Sequence, residues 1–542
     1  MSGAADDYDY LVVGAGSAGC VLANRLSRDP GVRVALVEAG ASDRSAALRI
    51  KTGLPLGNVL LLSDPRYNWN YELTGGPSIH DRKIAVPRGK LFGGCSSVNG
   101  AIYSRGHPSD YDGWAAAGNP GWSYEDVLPF FRQHENWTAG PASTYHGVDG
   151  ELDVCLPRSP NPLSRAFLEA AAQAGHAMNW DANGPTQDGF GYAQLNQRRG
   201  VRMSSSRAFL HPAMSRSNLT VLAETCAEKI RFRGRRAVGL AVSQRGRRRD
   251  LNARREIVLA AGVVNSPQLL MCSGVGPSQE LERLGIRVVQ DLPGVGANLH
   301  DHPAVAIAME NPTGESYALS WRSLPRLLAS PLQYLLGRNG MLASNAVEIS
   351  GYTRSQAALD KPDLQMGFIV GLKTTAQLIP RRHGVVALVA LLSPRSRGVL
   401  RLQSPDPTHA PVLSYDMLSH QEDVAALIRG VRQMRHILAA PALQRYLGAE
   451  IAPGTQVQTD TDLEAALRTA CATTYHPVGT CKMGPRTDAM AVVDPRLRVH
   501  ELAGLRVVDA SIMPHITAGN TSAPTMMIAE RAVQFILDRS AV

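Results

Sequence analysis

Asp9-Tyr10-Leu11-Val12-Val13-Gly14-Ala15-Gly16-Ser17-Ala18-Gly19, followed by Val34-Ala35-Leu36-Val37-Glu38-Ala39-Gly40, decides the fold of this 542-residue chain. The first apolar run reads as a buried strand, and the three glycines after it stand at G-x-G-x-x-G spacing. An amphipathic segment with Val21, Leu22, Ala23 and Leu26 follows, and a second apolar run ends in the acid Glu38. Strand, glycine turn, helix and strand make a βαβ dinucleotide-binding unit. Gly14 permits the tight turn, Gly16 lets the backbone approach a pyrophosphate, and Gly19 lets helix and strand pack closely. The N–H groups of Ser17, Ala18 and Gly19, at the start of the helix, are free to meet phosphate. Glu38, with Ala39 beside it, accepts hydrogen bonds from a ribose diol. An acid there disfavours a 2′-phosphate, which leaves FAD or NAD rather than NADP.

Composition is that of a globular protein, with 44% hydrophobic and 19% charged residues. The length predicts two or three structural units. No apolar run reaches the ~18 residues of a membrane span. The acidic start, Met1 to Asp7, does not read as a signal peptide, so the expected compartment is the cytosol. Seven cysteines, an odd number without a C-x-x-C pair, argue against a disulfide framework or structural zinc. His300-Asp301-His302 looks like a ligand cluster, but adjacent residues do not converge on one point, and no metal is expected. The net charge of +9 is mostly dispersed. Its one dense run, Arg245-Gly246-Arg247-Arg248-Arg249, reads as a solvated hairpin turn rather than a polyanion contact, and no nucleic-acid partner is expected. The sequons at Asn136, Asn218 and Asn520 carry no weight in a cytosolic chain.

The nucleotide domain is discontinuous in sequence. Leu219–Leu222, Ala237–Val242 and Arg255–Gly262 read as further strands, and Leu505–Ala510 as one more near the end, before a helical stretch from Thr525 to Leu537. Between them, Val385–Leu392 and Gly398–Leu402 read as strands of a separate sheet and Glu422–Leu438 as an amphipathic helix. The expected partition is a Rossmann-like domain of residues 1–155, 211–304 and 476–542, and a second, substrate-binding domain of residues 156–210 and 305–475. Residues 317–343 mix Tyr317, Trp321 and several leucines with Arg322, Arg326 and Arg338. A core-packing helical hairpin is the first expectation for them. The sharper reading is a patch touching a bilayer surface or a lipophilic electron acceptor.

A second glycine-dense loop runs from Pro87 to Gly100, with Arg88, Gly89, Gly93, Gly94, Ser96 and Asn99 in it. Such a loop brings backbone N–H groups close to a planar ligand or a phosphate. At this point the chain resembles the glucose-methanol-choline (GMC) oxidoreductases, from about Tyr8 to Leu537. Four ordered blocks carry the resemblance: the βαβ unit; Gly89–Asn99 with Tyr103-Ser104-Arg105-Gly106-His107; Gly262–Gly276; and Tyr475–Thr480 with Asp509–Pro514 and Gly519-Asn520-Thr521. It is most similar to the bacterial branch that includes choline dehydrogenase and aliphatic alcohol dehydrogenases. The resemblance implies an α/β fold with a discontinuous FAD domain and an α+β substrate domain built on an antiparallel sheet. It implies FAD held by the two glycine loops, Glu38, Ala39, Gly100, Ala227, Asp509, Ala510, Asn520 and Thr521. It makes His476 the active-site base and Asn520 its partner, acting on a primary or secondary alcohol. Phe92, Cys95 and Val263 depart from the family pattern as packing swaps. Val98 stands where choline oxidase carries the His bonded to its flavin, so non-covalent FAD is expected.

The chemistry fits those residue types. A neutral imidazole accepts a hydroxyl proton near neutral pH, and an amide N–H meets a developing alkoxide. Asp509 could equally be a helix cap, a task that Ser511 could perform instead. Glu348 is read as a salt-bridged strand-end residue, with a carboxylate in the substrate cavity as the alternative. The electron acceptor is a quinone-like molecule or O2. Rival readings are an oxidase using O2, a lyase of the same fold with structural FAD, an NAD-linked dehydrogenase and a non-catalytic binding protein. The substrate's identity and the oligomeric state are not legible, and peripheral membrane contact stays open.

Overall fold

The computed structural model describes residues 7–372 and 380–538, with the side chains of Asn58 and Val59 excepted. The acidic residues before Asp7, on which the compartment expectation rested, lie outside the described residues. β1 (Asp7–Val13), helix α1 (Ser17–Leu26) and β2 (Val34–Val37) form the βαβ unit. The same sheet takes in β3 (Leu219–Leu222), β4 (Thr225–Arg233), β5 (Arg236–Gln244), β6 (Arg247–Leu259) and β7 (Leu505–Val507). Its order is β3-β2-β1-β6-β5-β4, with β7 also paired to β6. The pairs β3/β2, β2/β1, β1/β6 and β6/β7 are parallel, with Tyr10 opposite Val34 and Val13 opposite Leu259. Covered on both faces, the central strands are apolar throughout: Leu11, Val12, Ala35, Leu36 and Val258 are completely buried. β4 and β5 add an antiparallel meander, and the basic run forms its solvated turn. Arg245 and Gly246 hold φ of +51° and +79°, Arg245 pairs with Glu224 and Arg248 with Glu228.

α2 (Gly262–Cys272) follows β6, and the last helix of the described chain, Ser522–Leu537, packs against α1 and closes the unit. The chain reaches this sheet in three passes, so residues far apart in sequence meet at the ends of its parallel strands. Ligands of open α/β sheets bind there.

The second sheet is antiparallel, in the order Glu450–Ala452, Pro303–Glu310, Gly384–Leu391, Leu364–Ile369, Val347–Thr353 and Gly189–Tyr192. The helix Gln421–Leu438 covers it with a buried stripe of Val424, Leu427, Ile428, Val431 and Met434. It lies close because Gly430 faces the sheet, where a Cβ would stand 2.6 Å from Val389 Cγ1. A four-stranded sheet of Gly398–Arg401, Val412–Tyr415, Tyr71–Gly75 and Lys83–Val86 ties an early segment to a late one.

The core-packing hairpin expected at residues 317–343 is not formed. One helix, Leu324–Gly337, stands between short 3-10 turns at Trp321–Ser323 and Met341–Ala343. Only Ser330 and Tyr334 of this helix are buried, with Tyr334 Oη donating to the Gly200 carbonyl at 3.1 Å. The leucine-rich face turns outward.

Candidate active site

The two glycine loops are one structure. Gly93 N–H donates to the Ala15 carbonyl at 2.7 Å, and a Cβ on Gly94, whose φ is +50°, would lie 2.8 Å from Gly16 Cα. Gly14, at φ +97°, makes the turn under α1, and a Cβ on Gly19 would fall 1.7 Å from the Gly14 carbonyl oxygen, the close packing that its spacing predicted. A Cβ on Gly16 would meet nothing nearer than 3.9 Å, and one on Gly100 or Gly262 nothing within 4 Å. A strip of backbone is therefore open to a large ligand at the ends of β1 and β6. Ser96 Oγ donates to the Gly93 carbonyl at 2.6 Å and meets Ser205 Oγ at 2.8 Å. Asn99 Oδ1 accepts from Ala101 N and from buried Arg202. Ser205, which bonds Ser96 and the Gly93 carbonyl and so holds the second loop, follows no nucleotide motif that the sequence could show.

Glu38 is buried at the end of β2, accepting from Ala15 N at 2.8 Å and Gly40 N at 2.7 Å. Burial pushes its carboxyl up to about 7, with the two N–H donors and Lys90 opposing the rise. Thr225 N donates to the Glu38 carbonyl, which brings the start of β4, where Ala227 lies, to the same end of the sheet. Asp509 is itself the cap: Oδ1 accepts from Ser511 N, and Oδ2 from Gly262 N and Ser266 Oγ. The expectation that Ser511 could do that work is corrected, since its buried hydroxyl has no hydrogen-bond partner among the described residues. Ala510 follows in the same turn.

His476 and Asn520 come together. Asn520 Nδ2 lies 3.0 Å from His476 Nε2, while Gln365 Nε2 donates to Asn520 Oδ1 at 3.2 Å. This network orients the amide as donor to the ring, so Nε2 carries the lone pair and Nδ1 the proton. Nδ1 faces Thr474 Oγ1 at 2.9 Å and His302 Nδ1 at 3.1 Å. Burial, then His302 and Arg88, hold the pKa of His476 well below the ordinary 6.5. The preceding Tyr475 takes a left-handed φ of +67°, a strained conformation for a residue with a Cβ, and sits 41% exposed. Thr521 N-caps the helix Ser522–Leu537, so the unpaired N–H groups of that helix begin right after Asn520.

The three side chains of His300-Asp301-His302 hold the surroundings of the site together. His300 Nε2 accepts from Ile516 N at 3.0 Å and Nδ1 donates to the Asn298 carbonyl. Asp301 accepts from His302 N at 2.7 Å, His476 N at 3.0 Å and the Thr473 hydroxyl. Burial pushes its carboxyl up to about 6 despite these donors. Nothing local in the sequence marks this role, because it arises from contacts with Thr473, His476 and Ile516 far along the chain. Arg88, at the head of the second glycine loop, donates to the Tyr475 carbonyl at 2.6 Å and so ties that loop to the residue before His476. Both readings of Glu348 fail: it is fully buried, with no ion pair among the described residues, and accepts from Asn161 N, Ser164 Oγ and Ser344 Oγ.

A dinucleotide cradle on a parallel sheet, with a histidine and an asparagine paired between that sheet and an antiparallel one, defines a flavin-type oxidoreductase. Family models described as GMC oxidoreductase match residues 8–304 and 394–529, and the chain belongs to that family. It is 41% identical over 533 residues to an alcohol dehydrogenase [acceptor] of Pseudomonas putida, covering 98% of this chain and 96% of the relative. It is also 41% identical over 541 residues to the oxygen-dependent choline dehydrogenase 1 of Chromohalobacter salexigens, covering 99% and 96%. Among solved structures, a pyridoxine 4-oxidase from Mesorbium loti matches with a TM-score of 0.87 at 30% identity over 97% of this chain and 98% of that one. The protein is thus an FAD-dependent oxidoreductase acting on CH–OH groups. The open glycine strip fits that cofactor, and Val98, packed among Leu48, Leu61 and Leu91, offers no nucleophile for a covalent link.

Proposed function

We propose that this protein oxidises a primary or secondary alcohol to the carbonyl compound, with His476 as the base. The observation that carries the reading is the 3.0 Å contact between His476 Nε2 and Asn520 Nδ2 beside the glycine cradle. FAD, when bound, supplies the acceptor for the carbinol hydride and passes the electrons on to a quinone-like molecule or O2. His476, kept neutral by its surroundings, takes the hydroxyl proton on Nε2 once the substrate hydroxyl displaces the Asn520 amide from that lone pair. Asn520, fixed by Gln365, donates to the substrate oxygen as charge develops there. Thr474 and His302 hold the ring from the Nδ1 side, and Asp301 anchors the His476 backbone. Gly14, Gly16, Gly93, Gly94, Glu38 and Ala227 hold the nucleotide, and Asp509, Ala510 and Thr521 frame the flavin end. The FAD domain would comprise residues 1–155, 211–304 and 476–542, and the substrate domain residues 156–210 and 305–475.

The test is anaerobic titration of the purified yellow protein with a panel of alcohols, followed by air. Bleaching of the flavin band by an alcohol is the expected result, and the speed of recovery in air sorts O2 from a quinone-like acceptor. A flavin that no alcohol bleaches would overturn the reading in favour of a lyase.

A further inference from the structure

Helix Leu324–Gly337 shows solvent a continuous apolar face. Leu324, Leu328, Leu332, Leu335 and Leu336 are 52%, 71%, 60%, 72% and 81% exposed, and Trp321, one turn earlier, 79%. Elsewhere among the described residues, exposed large apolar side chains stand one to an element. An uninterrupted leucine face of this kind is costly in water unless something covers it. Cationic groups ring it. Arg322 lies against the Trp321 ring and Arg338 against Tyr334, and Arg158 donates to the Gly337 carbonyl at the far end of the helix. Beside Arg158 opens a cavity of about 670 Å³, lined also by Arg199 and by Arg198, which pairs with Asp153 there and leaves Arg158 and Arg199 as its net cationic groups.

We infer that this face is a docking surface for an anionic phospholipid bilayer. Trp321 and the leucines enter the acyl boundary, while Arg158, Arg199, Arg322 and Arg338 meet the headgroups. Complementary charge picks out this occupant. A second copy laid face to face would oppose arginine to arginine, whereas an anionic lipid surface neutralises them, and the whole chain carries +9. No helix among the described residues is long and apolar enough to cross a membrane, so the contact is one-sided. The face is also close in the chain to the site: Asn345, eight residues past the helix, donates to the Gly100 carbonyl at 2.7 Å. The bilayer contact holds whichever alcohol is oxidised.

The test sediments the holoenzyme with vesicles of phosphatidylcholine alone or mixed with phosphatidylglycerol. Strong binding to the mixed vesicles and weak binding to the neutral ones is expected. In Leu328→Ser/Leu332→Ser/Leu335→Ser the partition coefficient should fall roughly a hundredfold. Turnover with a water-soluble acceptor dye should stay within about twofold, because these side chains lie outside the fold's core. Arg158→Gln/Arg338→Gln should remove only the preference for phosphatidylglycerol. Failure of the native holoenzyme to bind the mixed vesicles, or equal binding by the triple variant, overturns the inference. So does a native dimer that ignores vesicles and becomes a monomer in the triple variant, which would assign the face to a second copy.

Discussion

Asp301→Ala should separate the positioning of His476 from stability. The carboxylate is fully buried and takes the N–H groups of His302 and His476 and the Thr473 hydroxyl. Its removal orphans two buried backbone donors, at about 1–3 kcal/mol each. Against that, burial raises the Asp301 carboxyl from 3.8 to about 6, so about 3 kcal/mol of cost for the ionised form disappears with the charge. The two orphaned donors cost about 2–6 kcal/mol together, so the net destabilisation should be about −1 to +3 kcal/mol. No such compensation exists for the reaction. With its N–H anchor gone, His476 is displaced against Asn520, and a displacement of about 1 Å lowers kcat by about a hundredfold. Asp301→Asn keeps one acceptor oxygen for both N–H groups, and its amide can donate to Thr473, so it should restore most of kcat. The assays are thermal melting of the holoenzyme and steady-state kcat for the three proteins. Asp301→Ala with kcat within about twofold of the native enzyme would refute the anchoring argument, and so would Asp301→Asn as slow as Asp301→Ala.

Gly94→Ala puts a Cβ 2.8 Å from Gly16 Cα at φ +50°, so it should prise the two glycine loops apart and lower the flavin-to-protein absorbance ratio; an unchanged ratio would contradict the joint cradle. Because the surroundings of His476 hold its pKa well below 6.5, kcat/KM should stay flat from pH 6.5 upward and fall only in more acidic solution. A midpoint above 6.5 would remove His476 as the titrating base. His146, between Glu135 and Asp181, has its pKa raised to about 9. Its stabilisation is therefore complete below the unfolded value of 6.5 and is lost as pH rises through 9, so the melting temperature should drop across that window in the native protein and much less in His146→Gln.

The nucleotide half of the fold was readable because its signals are local. Glycine spacing, an apolar run and a strand-end acid each report on neighbours within about 30 residues, and β1, α1, β2 and Glu38 stand where those signals put them. The His476–Asn520 pair needed the resemblance to the family, since nothing in a 44-residue separation says that two side chains meet at 3.0 Å. What escaped depends on long-range packing. Glu348 is sequestered by Asn161, Ser164 and Ser344 rather than by a cation. His300-Asp301-His302 carries no periodic signal, and its role appears only when the strand after it lies beside Thr473 and His476. The leucines of Leu324–Gly337 leave core packing and an outward patch both open in the sequence, because periodicity marks an apolar face without saying what covers it.

The central claim, that His476 takes the alcohol's proton as the hydride leaves, is tested most directly by the rate of anaerobic flavin bleaching. Native protein and His476→Ala, both loaded with FAD and matched for flavin content, are mixed rapidly with the best alcohol of the panel. The account predicts bleaching slower by about 10²–10⁴ in the variant, with flavin retention unchanged. Equal bleaching rates in the two proteins would contradict it.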